Sequence, residues 1–552
     1  MKKETTHYLS YLERSIKNYC NEPAVSDFDS SYTLTYGELA EKIARLHVLF
    51  EQSGIQKGDK IAICGRNSAN WAVSFLAIST YEAIAVSILP EFTTESIHAL
   101  VNHSEAKLLF VGNIVNETIK VENMPNLIGV ILMNDFELVH VDNAQLEAAY
   151  KKWDADFNAK YPQGFSVDLI SYPIDNMNKP AIINYTSGTT SDPKGVILPY
   201  RSISSNVQFG QDRIPNQPGW SMVSMLPLAH MFGMTFEFLY QLAGGCHVYF
   251  LNKTPSPQVL MKAFAEVHPY MILTVPLVIE KVFKKTVFPV IHKPIIRILW
   301  YTPFIKYVIR KKVYTKLMDA FGGRLLHLII GGAPLNRQVE RCLKQIKFPY
   351  TVGYGMTECG PILGYEDWTV FKAKSCGKAV HRIELRIDSA NPTKEVGEIL
   401  VRGENVMEGY YKNPEATKAI FTKEGWMRTG DLGIVDAEGN IFIRGRNKSM
   451  ILGPSGQNIY PEEIEDKLNT LPYVMESVVV ERKNMLVALV FPDNEAFKNE
   501  NTHFKNMEEQ MEHNLVRLNR MLPPFCRLTQ IELVDKEFEK TPKRSIKRFM
   551  YS

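Results

Sequence analysis

Between Thr33 and Cys64 the spacing of apolar residues changes period. Thr35 and Glu38 form a capping signal ahead of Leu39, Ile43, Leu46 and Leu49, which recur at helical spacing, and Gly54 ends the run. Ile61 to Cys64 then forms a short apolar stretch of the kind a buried strand makes. This alternation predicts an α/β fold. From Ala181 to Phe250, and again from Leu325 to Gly332, β-branched or apolar runs end in glycine loops, the pattern of strands whose C-terminal ends open into a ligand crevice. Between Gly377 and Gly445 short strand signals are separated by Gly397, Gly403, Gly409, Gly425, Gly430, Gly433 and Gly439, which predicts a small β-rich unit. Past Arg446 the texture changes again. Pro461 to Leu468 has the spacing of an amphipathic helix, and Val478 to Val480 with Leu486 to Val490, joined through Arg482 to Asn484, reads as an antiparallel pair. The expected organisation is a large part spanning residues 1–445, with parallel-rich sheets in several subdomains, and a small α+β domain over 446–552.

Composition narrows the function. The 552 residues are 45% hydrophobic and 22% charged, which excludes a disordered or low-complexity chain. Sixty-three Lys and Arg against 60 Asp and Glu give a formal charge of +3, too balanced for a nucleic-acid binder. The seven cysteines are scattered without a CxxC pair, so they read as free thiols of a reducing compartment, with neither disulfide framework nor zinc site. The first 20 residues mix charges with single apolar residues, unlike a signal peptide, and no apolar run is long enough to span a bilayer. A cytoplasmic protein is expected.

The most informative stretch is YTSGTTSDPKGV, Tyr185 to Val196. Hydroxyls, two glycines and Lys194 follow the apolar run Ala181 to Asn184, so backbone amides, Thr186, Ser187, Gly188, Thr189, Thr190 and one ammonium converge where a polyphosphate would sit. The spacing from Gly188 to Lys194 is not that of a Walker A loop, and Lys194 is followed by Gly195 where that motif has Ser or Thr.

This string resembles the signature of the adenylate-forming superfamily, which includes acyl-CoA synthetases, adenylation domains and luciferases. Six further segments resemble the family's other motifs in the same order: LPLAHMFGM (226–234), IIGGAPL (329–335), GYGMTECGP (353–361), GEILVRGENVMEGYYKNPEAT (397–417), TGDLG (429–433) and GRNKSMILGPSGQNIYPEEIE (445–465). The wording of TVPLVIEKVF (274–283) and of GYGMTECGP is most similar to long-chain fatty-acid CoA ligases. The resemblance runs from about Leu34 to the C-terminus and implies ATP, Mg²⁺ and coenzyme A as reaction partners, with a fatty acid as substrate.

It also implies residue roles. Thr186 to Thr190 with Lys194 would hold the β- and γ-phosphates, Thr357 the α-phosphate, and Glu358 the magnesium ion. Gly332, Ala333, Pro334, Tyr354 and Gly355 would form the adenine slot, Asp431 would accept from the ribose hydroxyls, and Arg446 would add a charged contact. His230 would stand near the substrate carboxylate or serve as a core residue, and Met231 to Phe236 would line an acyl tunnel or simply pack. In the family the small domain rotates about a hinge, which falls on Lys448 here, and Ser455, Gly456 and Gln457 match the loop beside the pantetheine channel.

Two features depart from that pattern. Ser191 stands where the phosphate loop commonly has glycine. More consequentially, an ungapped alignment of Thr541 and Pro542 puts Ser545 where the family carries a lysine that contacts substrate. Lys547 and Lys543 lie two residues to either side, on the same face of an extended chain, and either could supply the missing cation, Lys547 first. Without such a cation the chain would be a non-catalytic lipid or nucleotide binder, and a carrier-protein phosphopantetheine arm is an alternative to CoA as acceptor. Residues 281–318 are a separate feature: ten Lys or Arg, no acid, and interleaved Phe, Ile, Leu, Trp and Tyr. That composition suits either peripheral contact with an anionic membrane or a solvated helical insertion with one packed side.

Overall fold

The structure, a computed structural model, describes residues 5–186, 193–253, 255–291, 293–452, 457–482, 485–499, 504–540 and 546–551. Two large sheets dominate the N-terminal part. The first has eight strands in the order Gly409–Tyr410, Lys194–Pro199, Pro180–Thr186, Ile84–Ile88, Lys60–Cys64, Leu108–Val111, Gly129–Leu132 and Leu138–Val141. Its five inner strands, from Pro180–Thr186 to Gly129–Leu132, run parallel, and antiparallel strands close both edges. The second has seven strands in the order Tyr350–Val352, His327–Ile330, Met271–Thr274, Ser221–Ser224, His247–Phe250, Pro23–Asp27 and Thr33–Thr35, parallel except for the last pair.

The continuous apolar runs become central strands because both of their faces are covered. Helix Ala69–Thr80, apolar all round and buried along its whole length, touches strands of both sheets, and its Trp71 ring stacks on Phe75 at 5.6 Å. The predicted capping box is present: Thr35 Oγ1 accepts from the Glu38 amide while the Glu38 carboxylate accepts from the Thr35 amide, opening helix Tyr36–Gln52.

The β-rich unit is a four-stranded antiparallel sheet of Ile383–Asp388, Gly397–Gly403, Met427–Val435 and Ile441–Arg446. After the turn Asn447–Ser449 comes the C-terminal part. Val474–Arg482 and Met485–Pro492 pair antiparallel, Gln530–Leu533 adds a parallel third strand, and helices Pro461–Leu468 and Met507–Asn519 complete a separate core around Ile464, Leu468, Val479, Val490 and Leu518. This part docks on the large one through the Arg337–Asp466 ion pair and the bond from Gln338 Nε2 to the Thr470 carbonyl, 2.7 Å.

Residues 281–318 fold as helices Pro276–Thr286, Phe288–Ile291, Pro294–Leu299 and Ile305–Ala320. Their inner side chains, Phe283, Trp300, Val313 and Leu317, are buried in the core, and the Trp300 indole N–H donates to Gln345 Oε1 at 2.8 Å. Among the described residues no helix is long and apolar enough to cross a membrane. All seven cysteines are free thiols.

Candidate active site

Strands Pro180–Thr186 and Lys194–Pro199 flank the expected phosphate loop and pair antiparallel. Thr186 faces Lys194 in the last register pair of these strands, so the hydroxyl and the lysine stand side by side where the two strands end. Gly195, just beyond, leaves no room for a side chain: a Cβ there would lie 3.0 Å from Ile183 and 3.2 Å from the Tyr185 ring. Ser187, Gly188, Thr189 and Thr190 lie outside the described residues.

Lys194 leads to a residue that sequence reasoning passed over. Its ammonium sits 4.9 Å from the centroid of the Tyr410 ring, and the Tyr410 hydroxyl donates to Glu358 Oε1 at 3.0 Å. Tyr410 is held there because Gly409–Tyr410 pairs with Val196 and Ile197, forming the last strand of the eight-stranded sheet. One aromatic ring therefore connects the loop's cation to the carboxylate of the YGMTE turn. Burial, and then the Glu358 charge, push the Tyr410 phenol well above its ordinary pKa, so the hydroxyl keeps its proton and remains a donor. The only earlier sign of it was its place in the long GEILVRG motif.

Glu358 lies in the tight turn Thr357–Cys359, whose position is fixed by the bond from the Met407 amide to the Glu358 carbonyl at 2.8 Å. Thr357 is buried beside it. Among the described residues no group of three or more His, Cys, Asp or Glu side chains is placed to hold a metal. A single half-buried carboxylate, Glu358, fits magnesium, which takes one or two carboxylates and fills its octahedron with phosphate oxygens and water. Glu358 would supply the protein ligand, and the ion, when bound, would neutralise charge on the phosphates.

Asp431 is the second carboxylate near these residues, close enough for the Glu358 charge to act on it. It is 6% exposed, accepts from the Tyr354 hydroxyl at Oδ2 (2.7 Å), and pairs through Oδ1 with Arg446 Nε at 3.2 Å. The Arg446 contact follows from register, since the two residues face each other across strands Met427–Val435 and Ile441–Arg446. Burial raises the Asp431 pKa, with Arg446 and the Tyr354 hydroxyl acting against it and the Glu358 charge adding to the rise. Both oxygens already have partners, and each keeps a second lone pair for a ligand hydroxyl. Tyr354 itself is packed in the main core, anchored by that hydroxyl bond.

Gly332, Ala333 and Pro334 are exposed on the loop after strand His327–Ile330, and Gly332 has φ +88°, a conformation that suits glycine. Gly355 is a stricter case: a Cβ would come within 2.2 Å of the Pro361 carbonyl oxygen.

The PLAHMFG segment is held from three directions by buried polar side chains. Asn184 Nδ2 donates to the Ala229 carbonyl at 2.7 Å, directly linking the strand before the phosphate loop to the residue preceding His230. Asn67 donates to the Leu226 carbonyl and accepts from the Leu228 amide. Glu237 Oε2 accepts from Ser224 Oγ and from the amides of Met225 and Leu226. These three were invisible beforehand, because a polar residue inside an apolar run carries no period. His230 is half-buried at the start of the following helix. Met231, Met234 and Phe236 pack in the cores, whereas Phe232 is half-buried with its ring 3.1 Å from where a Gly331 Cβ would lie.

Of the C-terminal candidates, Lys448 is exposed in the turn Asn447–Ser449, and Gln457 is exposed just before strand Asn458–Ile459. Ser455, Gly456, Lys543 and Ser545 lie outside the described residues. Lys547 is engaged within the C-terminal part: its ammonium pairs with Glu539 at 3.3 Å and its amide donates to the Glu539 carbonyl. Its neighbour Arg548 is anchored to Glu465 and Glu462 on helix Pro461–Leu468.

Lys194 beside Thr186, the Glu358 carboxylate joined to it through Tyr410, and the buried Asp431 lie in a chain of the nucleotide-activating ligase class. The chain belongs to the AMP-binding enzyme family: that family's model matches residues 12–411, and the model of its C-terminal domain matches 448–551. Among curated proteins the chain is similar to 4-coumarate-CoA ligase 1 of Narcissus pseudonarcissus, 27% identical over 505 residues, covering 86% of this chain and 81% of the relative. It is equally similar to long-chain-fatty-acid–CoA ligase FadD15 of Mycobacterium bovis, 28% identical over 493 residues, covering 84% and 78%. Among solved structures it shares its fold with O-succinylbenzoate coenzyme A synthetase of Bacillus subtilis in complex with ATP and magnesium, at a TM-score of 0.74, 20% identity and 98% coverage of both chains. The anthranilate CoA ligase AuaEII gives a TM-score of 0.78 at 18% identity, covering 99% of this chain and 97% of that one.

Proposed function

We propose that this protein activates a long-chain fatty acid with ATP and passes the acyl group to coenzyme A. The coarse activity, ATP-dependent ligation of an acid to CoA through an acyl-adenylate, is that of the family. The observation that carries the site assignment is the line Lys194, Tyr410, Glu358, with the buried Asp431 near enough to feel the Glu358 charge.

In the first step a carboxylate oxygen of the acid attacks the α-phosphorus of ATP. The bond from that phosphorus to the bridging oxygen breaks, and pyrophosphate leaves. Charge builds on the phosphates, so positioned cations and donors do most of the catalytic work. Lys194 neutralises the β- and γ-phosphates, Thr357 donates to the α-phosphate, Asp431 holds the ribose, and the adenine lies by Gly332 to Pro334 and Gly355 with Tyr354 behind it. His230 flanks the acid carboxylate. Lys547, or Lys543, brings the cation that Ser545 does not provide, which requires the C-terminal part to move about Lys448 from the arrangement described above. In the second step the deprotonated CoA thiol, guided past Ser455 to Gln457, attacks the acyl carbon; the bond to the AMP oxygen breaks, and the thiol proton goes to solvent.

The choice of a long-chain acid rests on the TVPLVIEKVF and GYGMTECGP segments and on the FadD15 relative. An aryl acid is the second reading, favoured by the 4-coumarate ligases at the same level of identity. Incubation with ATP, CoA and, in parallel, hexadecanoate, octanoate or 4-coumarate, scored by AMP and thioester, separates them. The fastest turnover is expected with hexadecanoate. Faster turnover with 4-coumarate replaces the fatty acid by an aryl acid, and AMP formation that requires an added carrier protein in place of CoA changes the acceptor.

A further inference from the structure

One surface feature takes no part in this chemistry. Ile295, Ile298, Tyr301, Phe304 and Tyr307 recur at every third residue along helix Pro294–Leu299, the turn after it and the start of helix Ile305–Ala320, and they are 72%, 70%, 63%, 86% and 65% exposed. Val308 adds to the same surface. The inward-facing residues of these helices, Trp300, Val313 and Leu317, are buried, so the packing needs of the segment are already met. Phe304 is held at φ +64°, a costly backbone for an aromatic residue, with its ring displayed to solvent. A row of large apolar side chains left outside a completed core marks an interaction surface.

Charge identifies the partner. All ten ionised side chains of residues 281–318 are basic, in a chain whose total is +3, which leaves the remainder net acidic. Lys293, Arg297, Lys311, Lys312 and Lys316 are exposed, and among the described residues none of them forms an ion pair. Lys306 lies 5.1 Å from the Tyr307 ring, beside the apolar row. A second copy of this chain is a poor match, since a two-fold contact would bring like charges together. Exposed Ile, Phe and Tyr rimmed by unpaired Lys and Arg match the interface of an anionic bilayer, where rings enter the headgroup boundary and ammonium groups meet phosphates.

We propose that residues 293–312 dock this enzyme peripherally on anionic lipid membrane. Helix Pro276–Thr286, which precedes the patch in the chain, starts next to Val275, whose side chain borders Gly332. The inference does not rest on which acid is the substrate.

The test is co-sedimentation of the full chain, without ATP or acid, with vesicles of phosphatidylcholine alone or with about one-third phosphatidylglycerol, at low and high salt. Binding to the anionic vesicles only, weakened by salt, is expected. The variants Ile298→Glu with Phe304→Asp, and separately Lys311→Glu with Lys312→Glu, should each weaken binding by about tenfold or more. These sites are exposed, so unchanged melting temperature and unchanged pyrophosphate release with a soluble short acid verify that the variants are folded. Absence of binding, equal binding to neutral vesicles, or wild-type binding by both variants overturns the proposal. So does a vesicle-free dimer that the Phe304→Asp variant dissociates, which would assign the face to self-association.

Discussion

Replacement of Tyr410 by phenylalanine isolates one hydrogen bond at the centre of the site. The variant keeps the ring 4.9 Å from the Lys194 ammonium and removes only the hydroxyl that donates to Glu358 at 3.0 Å. A bond to an ionised acceptor contributes about 1.5–3 kcal/mol, and the half-buried position of Glu358 puts this one at the lower end. A loss of about 1.5 kcal/mol is roughly a tenfold fall in kcat/KM for MgATP. Tyr410→Ala also removes the cation–ring contact, a further ~0.5–1 kcal/mol, or roughly a threefold additional loss. The assay is acid-dependent pyrophosphate release at varied MgATP, with melting curves to verify folding. Because the hydroxyl acts through Glu358, Tyr410→Phe should have little further effect in a Glu358→Gln background. Wild-type kcat/KM in Tyr410→Phe, or an undiminished effect in the Glu358→Gln background, would refute the connection between Lys194 and Glu358.

Four other expectations follow from the same geometry. Gly355→Ala forces a methyl group against the Pro361 carbonyl, 2.2 Å away, so MgATP turnover should fall at least tenfold and stability by about 1–3 kcal/mol, measured by urea titration. Asp431→Asn keeps the shape but removes the charge facing Arg446, and should raise KM for ATP by about tenfold or more, with kcat less affected. Glu280, between the two parts, is lifted to about 7, first by burial and then by Asp466 and Glu476. A carboxyl raised above its ordinary value stabilises the fold most below about 4.5, and that contribution is lost as pH climbs through about 7; Glu280→Gln should flatten this decline and add about 1–2 kcal/mol at pH 8, seen in melting temperature against pH. Finally, Lys547→Ala and Lys543→Ala are made singly: pyrophosphate release should drop about a hundredfold in one of them, and unchanged rates in both would exclude the proposed replacement for the missing lysine.

Where one period ran unbroken, the fold was legible. The Thr35 and Glu38 box, the strand at Ile61, and the Pro461–Leu468 helix all stand where the apolar spacing places them. The antiparallel pair after Tyr473 is longer than expected, Val474–Arg482 with Met485–Pro492, because its ends carry Glu, Arg and Met that alternate too weakly to read. The third strand, Gln530–Leu533, was missed for the same reason: an edge strand with Gln and Glu in four residues lacks the apolar run of a covered one. At the site, residues in glycine-rich loops were readable from their company. Tyr410, Asn67, Asn184 and Glu237 were not, since each acts through a partner distant in the chain: Glu358, Leu226, Ala229 and Met225 are joined to them by topology alone. Sequence also left packing and tunnel equally open for Met231 to Phe236, and burial assigns Met231, Met234 and Phe236 to the cores.

The central claim is that an acid is joined to AMP at the site bounded by Lys194, Glu358 and Asp431. Exchange of labelled pyrophosphate into ATP, with CoA omitted, reports that step alone. The account predicts exchange that depends on added carboxylic acid and magnesium and is severely reduced in Lys194→Ala and Glu358→Gln. No exchange with fatty or aryl acids, or equal exchange in those variants, would contradict it.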